Sequence, residues 1–126
     1  MTAANHDTTR GPALLTMMER IRAFDEQADL AAPRDQLVLG AIHLSIGQEA
    51  IPAGIMPHLK TTDLILSTHR GHGHTLAKGA DPTAMMEELL GRDGGCCGGK
   101  GGSMHIADFG VGMLGANGVV GANIHI

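Results

Sequence analysis

Ser67-Thr68-His69-Arg70-Gly71-His72-Gly73-His74 follows directly on the apolar run Leu64-Ile65-Leu66. It places one guanidinium and three imidazoles on a backbone loosened by glycine. The short apolar run, bounded by turn residues, predicts a buried strand over 64–67. A strand that ends in a loop of forked donors with little side-chain bulk suits an anionic group, above all a phosphate. The same histidines could ligate a metal, since His72 and His74 share a face if extended. Arg70 would repel the cation, however, and no thiol or carboxylate clusters nearby. Anion binding is the better use of these atoms.

Working outward, composition narrows the function. The chain has 126 residues, enough for one compact domain, and a formal net charge of -4. Its nine Lys and Arg are scattered singly, and Phe24 and Phe109 are its only aromatics. That leaves neither a basic face nor a base-stacking platform, so nucleic acid is not an expected partner. No apolar run approaches the ~18 residues of a membrane span, and residues 1–9 are polar, without the apolar core of a secretory signal. Cys96 and Cys97 are adjacent, a poor geometry for a mutual disulfide, which fits a reducing compartment, the cytoplasm.

Local signals predict three helices. Pro12 suits a first turn, and Leu14, Met18, Ile21, Phe24 or Asp25, and Ala28 follow a 3.6-residue period up to a break at Pro33. Arg22 and Glu26 are spaced to pair on the opposite side. Ser45 and Gln48 spell a capping box for a second helix, in which Pro52 forces either shortness or a bend. Asp81 and Pro82 open a third, whose buried stripe is Met85, Met86, Leu89 and Leu90 and whose end is Gly91.

Fifteen of the 19 glycines lie between Gly71 and Gly121. Such a half orders at high entropic cost for little burial and reads as surface to be covered by something else. Gly94 to Lys100 narrowly misses a P-loop, because Gly101 stands where Ser or Thr is needed, and a surface loop is expected instead. Gly110-Val111-Gly112-Met113-Leu114-Gly115 spells G-x-G-x-x-G without a clear strand before it, so close backbone packing explains it as well as a dinucleotide site does. A lone His43 between Ile42 and Leu44 reads equally as a structural histidine, and the two cysteines as inert.

Four motifs in order then carry a resemblance: residues 42–50 (IHLSIGQEA), 68–74 (THRGHGH), 98–105 (GGKGGSMH) and 115–121 (GANGVVG). Across roughly residues 12–124 the chain resembles the N-terminal part of the alpha subunit of thiamine-diphosphate-dependent 2-oxo acid dehydrogenases, in the pyruvate and acetoin branch. His69-Arg70, where pyruvate enzymes usually have Tyr-Arg, leans towards acetoin. The resemblance implies an α/β class: an incomplete thiamine-diphosphate-binding fold, helices flanking a parallel sheet, with residues 1–126 as its N-terminal portion. It implies that Arg70 and His69 contact the cofactor's diphosphate, that Gly118 and Val120 bring backbone close to the thiamine, and that His43 and His72 assist as catalytic residues.

It implies partners too: a beta subunit, a second alpha subunit and a lipoyl-bearing acyltransferase that receives the two-carbon unit. Magnesium is implied, but the family's Gly-Asp-Gly motif and its following Asn would lie beyond Ile126, so no metal ligand is assigned in this chain. His125 stands where a proline is usual. With these parts missing, the isolated chain is expected to be inactive. The alternative is a non-catalytic interaction module that kept the subunit-contact surface.

Overall fold

The computed structural model describes residues 10–34, 38 and 40–121. His125 and the final residues from Asn123 lie outside that range. The first helix, α1, runs Arg10–Arg34. Its predicted stripe holds in the later turns, where Ile21, Phe24 and Ala28 enter the core and Asp25 is buried with them; nearer the start Met17, not Leu14 or Met18, packs against that core. Arg22 does not pair with Glu26. It reaches across to Glu49, 2.7 Å away, because a tertiary carboxylate that is itself nearly buried competes better than a solvated neighbour.

Helix α2, Ala50–Ile55, is short, and Pro52 falls in its first turn, where no backbone bond is lost. The capping box does not form; Glu49 is the N-cap, and its side chain accepts no bond from the helix's own first-turn N–H groups. Ser45 is drawn away to a buried carboxylate on α1 instead. Strand β1, Ile65–Thr68, exposes one face: Leu64 is 65% and Leu66 59% accessible, while Ser67 on the other face is buried. The expectation of a fully buried strand is therefore corrected.

The donor-rich segment is no open loop beyond Gly71. Helix α3, His72–Lys78, begins at the second histidine and ends on Gly79. Helix α4, Pro82–Leu89, forms as expected: Asp81 Oδ1 accepts from the Thr83 N–H at 3.1 Å, and Met85 and Leu89 are buried. Strand β2, Met113–Asn117, pairs parallel to β1, with a register irregularity between Ile65 and Ser67. The connection between the parallel strands carries α3 and α4, so the described residues form an α/β arrangement with helices beside a two-stranded parallel sheet.

The core lies where α1, α3 and α4 meet, completed by Ile106. The glycine tract is folded around it, not loose on the surface. Glu88, fully buried at the end of α4, accepts four backbone N–H bonds: from Cys97 (2.7 Å) and Gly99 (2.8 Å) on one oxygen, and from Gly101 (2.7 Å) and Gly102 (3.1 Å) on the other. Gly99 is required there, since its φ is +70° and a Cβ would sit 2.4 Å from the Gly91 carbonyl carbon. No helix among the described residues is long and apolar enough to cross a membrane.

Candidate functional site

A cavity of about 460 Å³ opens where β1 hands over to α3, facing the start of α2 and the segment after β2. His69, Arg70 and Val120 line it together with Ser45, Gln48, Thr68 and His74. Three of the residues expected to meet a cofactor thus converge. Gly118 does not line it. It borders a smaller recess with Leu66 and Asn117, and the neighbour a Cβ there would meet is His105, at 3.3 Å. His43 is absent from the lining, but its ring packs edge-on against His69 with centroids 5.2 Å apart.

The polar atoms of this cavity are unevenly satisfied. His69 Nδ1 is buried and has no hydrogen-bond partner among the described residues. Buried polar atoms are nearly always paired, so this nitrogen stands out on a ring that lines the cavity. The Arg70 guanidinium donates one bond to the Leu44 carbonyl, which fixes its position while leaving other donors of the fork for a ligand. His74 Nδ1 pairs with Ser67 Oγ at 2.6 Å, and burial depresses the imidazole's basicity. Among the described residues no carboxylate lines the cavity, so the charge of Arg70 meets no acidic neighbour there and a hard cation no acidic ligand.

His72 is placed differently from its expected role. It is 0% exposed, with Nδ1 2.7 Å from Asp25 Oδ1 and Nε2 2.9 Å from Ser103 Oγ. Both nitrogens are engaged inside the protein, so it holds structure and does not face the cavity. Asp25, His72 and Ser103 reproduce the connectivity of a hydrolase triad. All three are buried, however, so no substrate carbonyl can reach the hydroxyl. Burial opposes charge on Asp25, yet hydrogen bonds from His72 and Ser45 outweigh it and hold the carboxyl below its ordinary range. Asp25 and Ser103 were legible in sequence only as members of a helix stripe and a motif; no local pattern pairs residues so far apart.

Other constellations dissolve on inspection. Gly110 to Gly115 leads from a 3-10 turn at Phe109–Val111 into β2, not from a strand into a helix, so it is no dinucleotide fingerprint. The Gly94 to Lys100 tract wraps a carboxylate, not a phosphate. Ligand atoms of Glu88, Cys96 and Cys97 lie within 4.8 Å of one another. Each Glu88 oxygen already accepts two N–H bonds, so this carboxylate is committed to the glycine tract, and burial pushes the Cys96 thiol up to about 12.

Strand, helix and cavity together place a guanidinium and two imidazoles at the carboxyl end of β1 in an α/β arrangement. Comparison with known proteins then supplies the family. Residues 16–126 match the dehydrogenase E1 component family, and the chain belongs to it. The alpha subunit of acetoin:2,6-dichlorophenolindophenol oxidoreductase from Cupriavidus necator is 54% identical over 105 residues, 83% of this chain and 31% of that protein. Its counterpart in Bacillus subtilis is 51% identical over 104 residues, 82% of this chain and 31% of that protein. The human mitochondrial pyruvate dehydrogenase E1 component subunit alpha, somatic form, is 37% identical over 108 residues, 86% and 27% respectively. The chain spans less than a third of the length of these relatives.

Proposed function

We propose that this chain provides the N-terminal, diphosphate-holding part of the alpha subunit of a thiamine-diphosphate-dependent E1 dehydrogenase, acting on acetoin or on pyruvate or a related 2-oxo acid. The observation that carries the reading is the cavity in which Arg70, Val120 and the orphaned His69 Nδ1 converge. Its volume of about 460 Å³ falls in the range of small-ligand sites. Acetoin is favoured because the two acetoin relatives are 54% and 51% identical, against 37% for the human pyruvate enzyme.

In this reading Arg70 grips the terminal phosphates, positioned by its bond to Leu44, and His69 offers Nδ1 to the same group. Val120, 78% exposed, forms an apolar rim against the thiamine. The cofactor, when bound, supplies the electron sink for breaking the bond beside a carbonyl carbon. His43 is within reach of that region through its packing on His69 and is assigned to proton transfer or orientation. Gly118 keeps its backbone accessible beside His105. Magnesium would be held by residues other than those lining this cavity.

The acyl unit would pass to a lipoyl-bearing acyltransferase, and a beta subunit and a second alpha subunit would cover the open sheet face bearing Leu64, Leu66 and Leu114. Two free thiols suit the cytoplasm. Isothermal titration of the purified chain with thiamine diphosphate and magnesium tests the reading. Heat release lost in Arg70→Ala supports it. Absence of binding together with capture of a beta subunit would instead support a non-catalytic interaction module.

A further inference from the structure

Three consecutive residues at the edge of the cavity are each held by a different part of the chain. The His43 N–H donates to Ser103 Oγ at 3.0 Å. The Leu44 carbonyl accepts from the Arg70 guanidinium. The Ser45 N–H and hydroxyl both donate to Asp25 Oδ2, at 2.5 Å and 2.7 Å. Two of these holds trace back to one carboxylate, because Asp25 Oδ1 also binds His72, which in turn binds Ser103.

The donors and acceptors fit together in only one direction. An ionised Asp25 can only accept, so His72 Nδ1 carries a proton. In the neutral imidazole Nε2 then accepts from the Ser103 hydroxyl, which leaves a Ser103 lone pair for the His43 N–H. A charged His72 would turn Nε2–H towards Ser103 and leave the serine proton without a partner in a site that is 3% exposed.

We propose that Asp25 is a positioning residue for the cavity: through a neutral His72 and Ser103 it sets the backbone of His43 to Ser45, and with it the seat of the His43 ring against His69. The identity of the ligand rests on the function proposed above, but the strap itself does not. Asp25 does not itself line the cavity; it acts through its direct bonds to Ser45, which does, and through His43.

The test uses the purified chain labelled with nitrogen-15. Long-range proton–nitrogen spectra should place the His72 proton on Nδ1. Ser103→Ala cuts the strap between His72 and His43 while leaving Asp25 and Ser45 joined. It should speed hydrogen exchange of the His43 amide about tenfold or more, shift the ring signals of His43 and His69, and leave amides of α4 unchanged. Thiamine diphosphate with magnesium should bind this variant several-fold more weakly. Asp25→Asn keeps one acceptor oxygen, so its NH2 either opposes the Ser45 donors or forces His72 into the other tautomer, and it should loosen Ser45 or His43 accordingly. The strap is overturned by an unchanged His43 amide and ring in Ser103→Ala, or by a His72 proton on Nε2 in the unaltered chain. If thiamine diphosphate fails to bind the unaltered chain, the functional reading falls, while exchange and tautomer still decide the strap.

Discussion

Glu88→Gln is the substitution whose consequence can be worked most fully from the structure. The carboxylate accepts two N–H bonds on each oxygen, at 2.7 to 3.1 Å, from residues 97 to 102. Glutamine keeps one acceptor oxygen and turns an NH2 group towards two N–H donors in a site with no access to solvent. A hydrogen bond to a charged acceptor contributes about 1.5–3 kcal/mol, so losing two costs about 3–6 kcal/mol. A domain of this size is stable by only about 5–15 kcal/mol. At about 4 °C per kcal/mol for a chain of this length, the midpoint of thermal unfolding, followed by circular dichroism, should fall by about 12 °C or more. Glu26→Gln, on the exposed side of α1, is the control and should change stability by less than about 0.5 kcal/mol. A Glu88→Gln midpoint within about 4 °C of the unaltered chain would refute the idea that this carboxylate organises the glycine tract.

The remaining predictions follow from the same contacts. Gly99→Ala should destabilise by more than the ordinary glycine penalty of about 1 kcal/mol, since its Cβ meets the Gly91 backbone at 2.4 Å; a denaturant titration measures it. Arg22→Ala should shift the midpoint of the same titration only slightly, because the guanidinium is well solvated and Glu49 keeps the Gly47 N–H as a partner. Stability should decline in two stages on acidification. His74 has its pKa lowered from an ordinary 6.5, so the unfolded chain takes up the proton first and stability falls as pH drops below about 6.5. Asp25, Glu49 and Glu88 also have lowered values: burial raises each, but hydrogen bonds outweigh it. Their contribution is intact above the ordinary carboxylate range of about 4 and is lost as pH falls through their lower folded values. Urea midpoints measured between pH 7 and pH 3 would show both stages, and a flat profile would contradict them.

Helix signals with local causes read true: the Asp81 cap, the Pro82 start and the stripe of Met85 and Leu89 are all present. The failures share a physical reason. Ser45 and Arg22 were assigned partners four residues away or nearer, but each is claimed by a carboxylate distant in sequence, Asp25 or Glu49. The loop after Arg70 proved helical because Thr75 and its neighbours pack into a core that glycine-rich sequence does not advertise. The His69-Arg70 constellation was visible in the sequence; the cavity around it depends on Val120 returning from a segment fifty residues later, which no local pattern shows.

Side-chain nuclear magnetic resonance of His69 and Arg70, during titration of this chain with thiamine diphosphate in the presence of magnesium, bears most directly on the proposed role. Saturable shifts of His69 Nδ1 and the Arg70 guanidinium, abolished in Arg70→Ala, are the predicted result. Saturable binding that leaves both side chains unmoved and perturbs another region would contradict it.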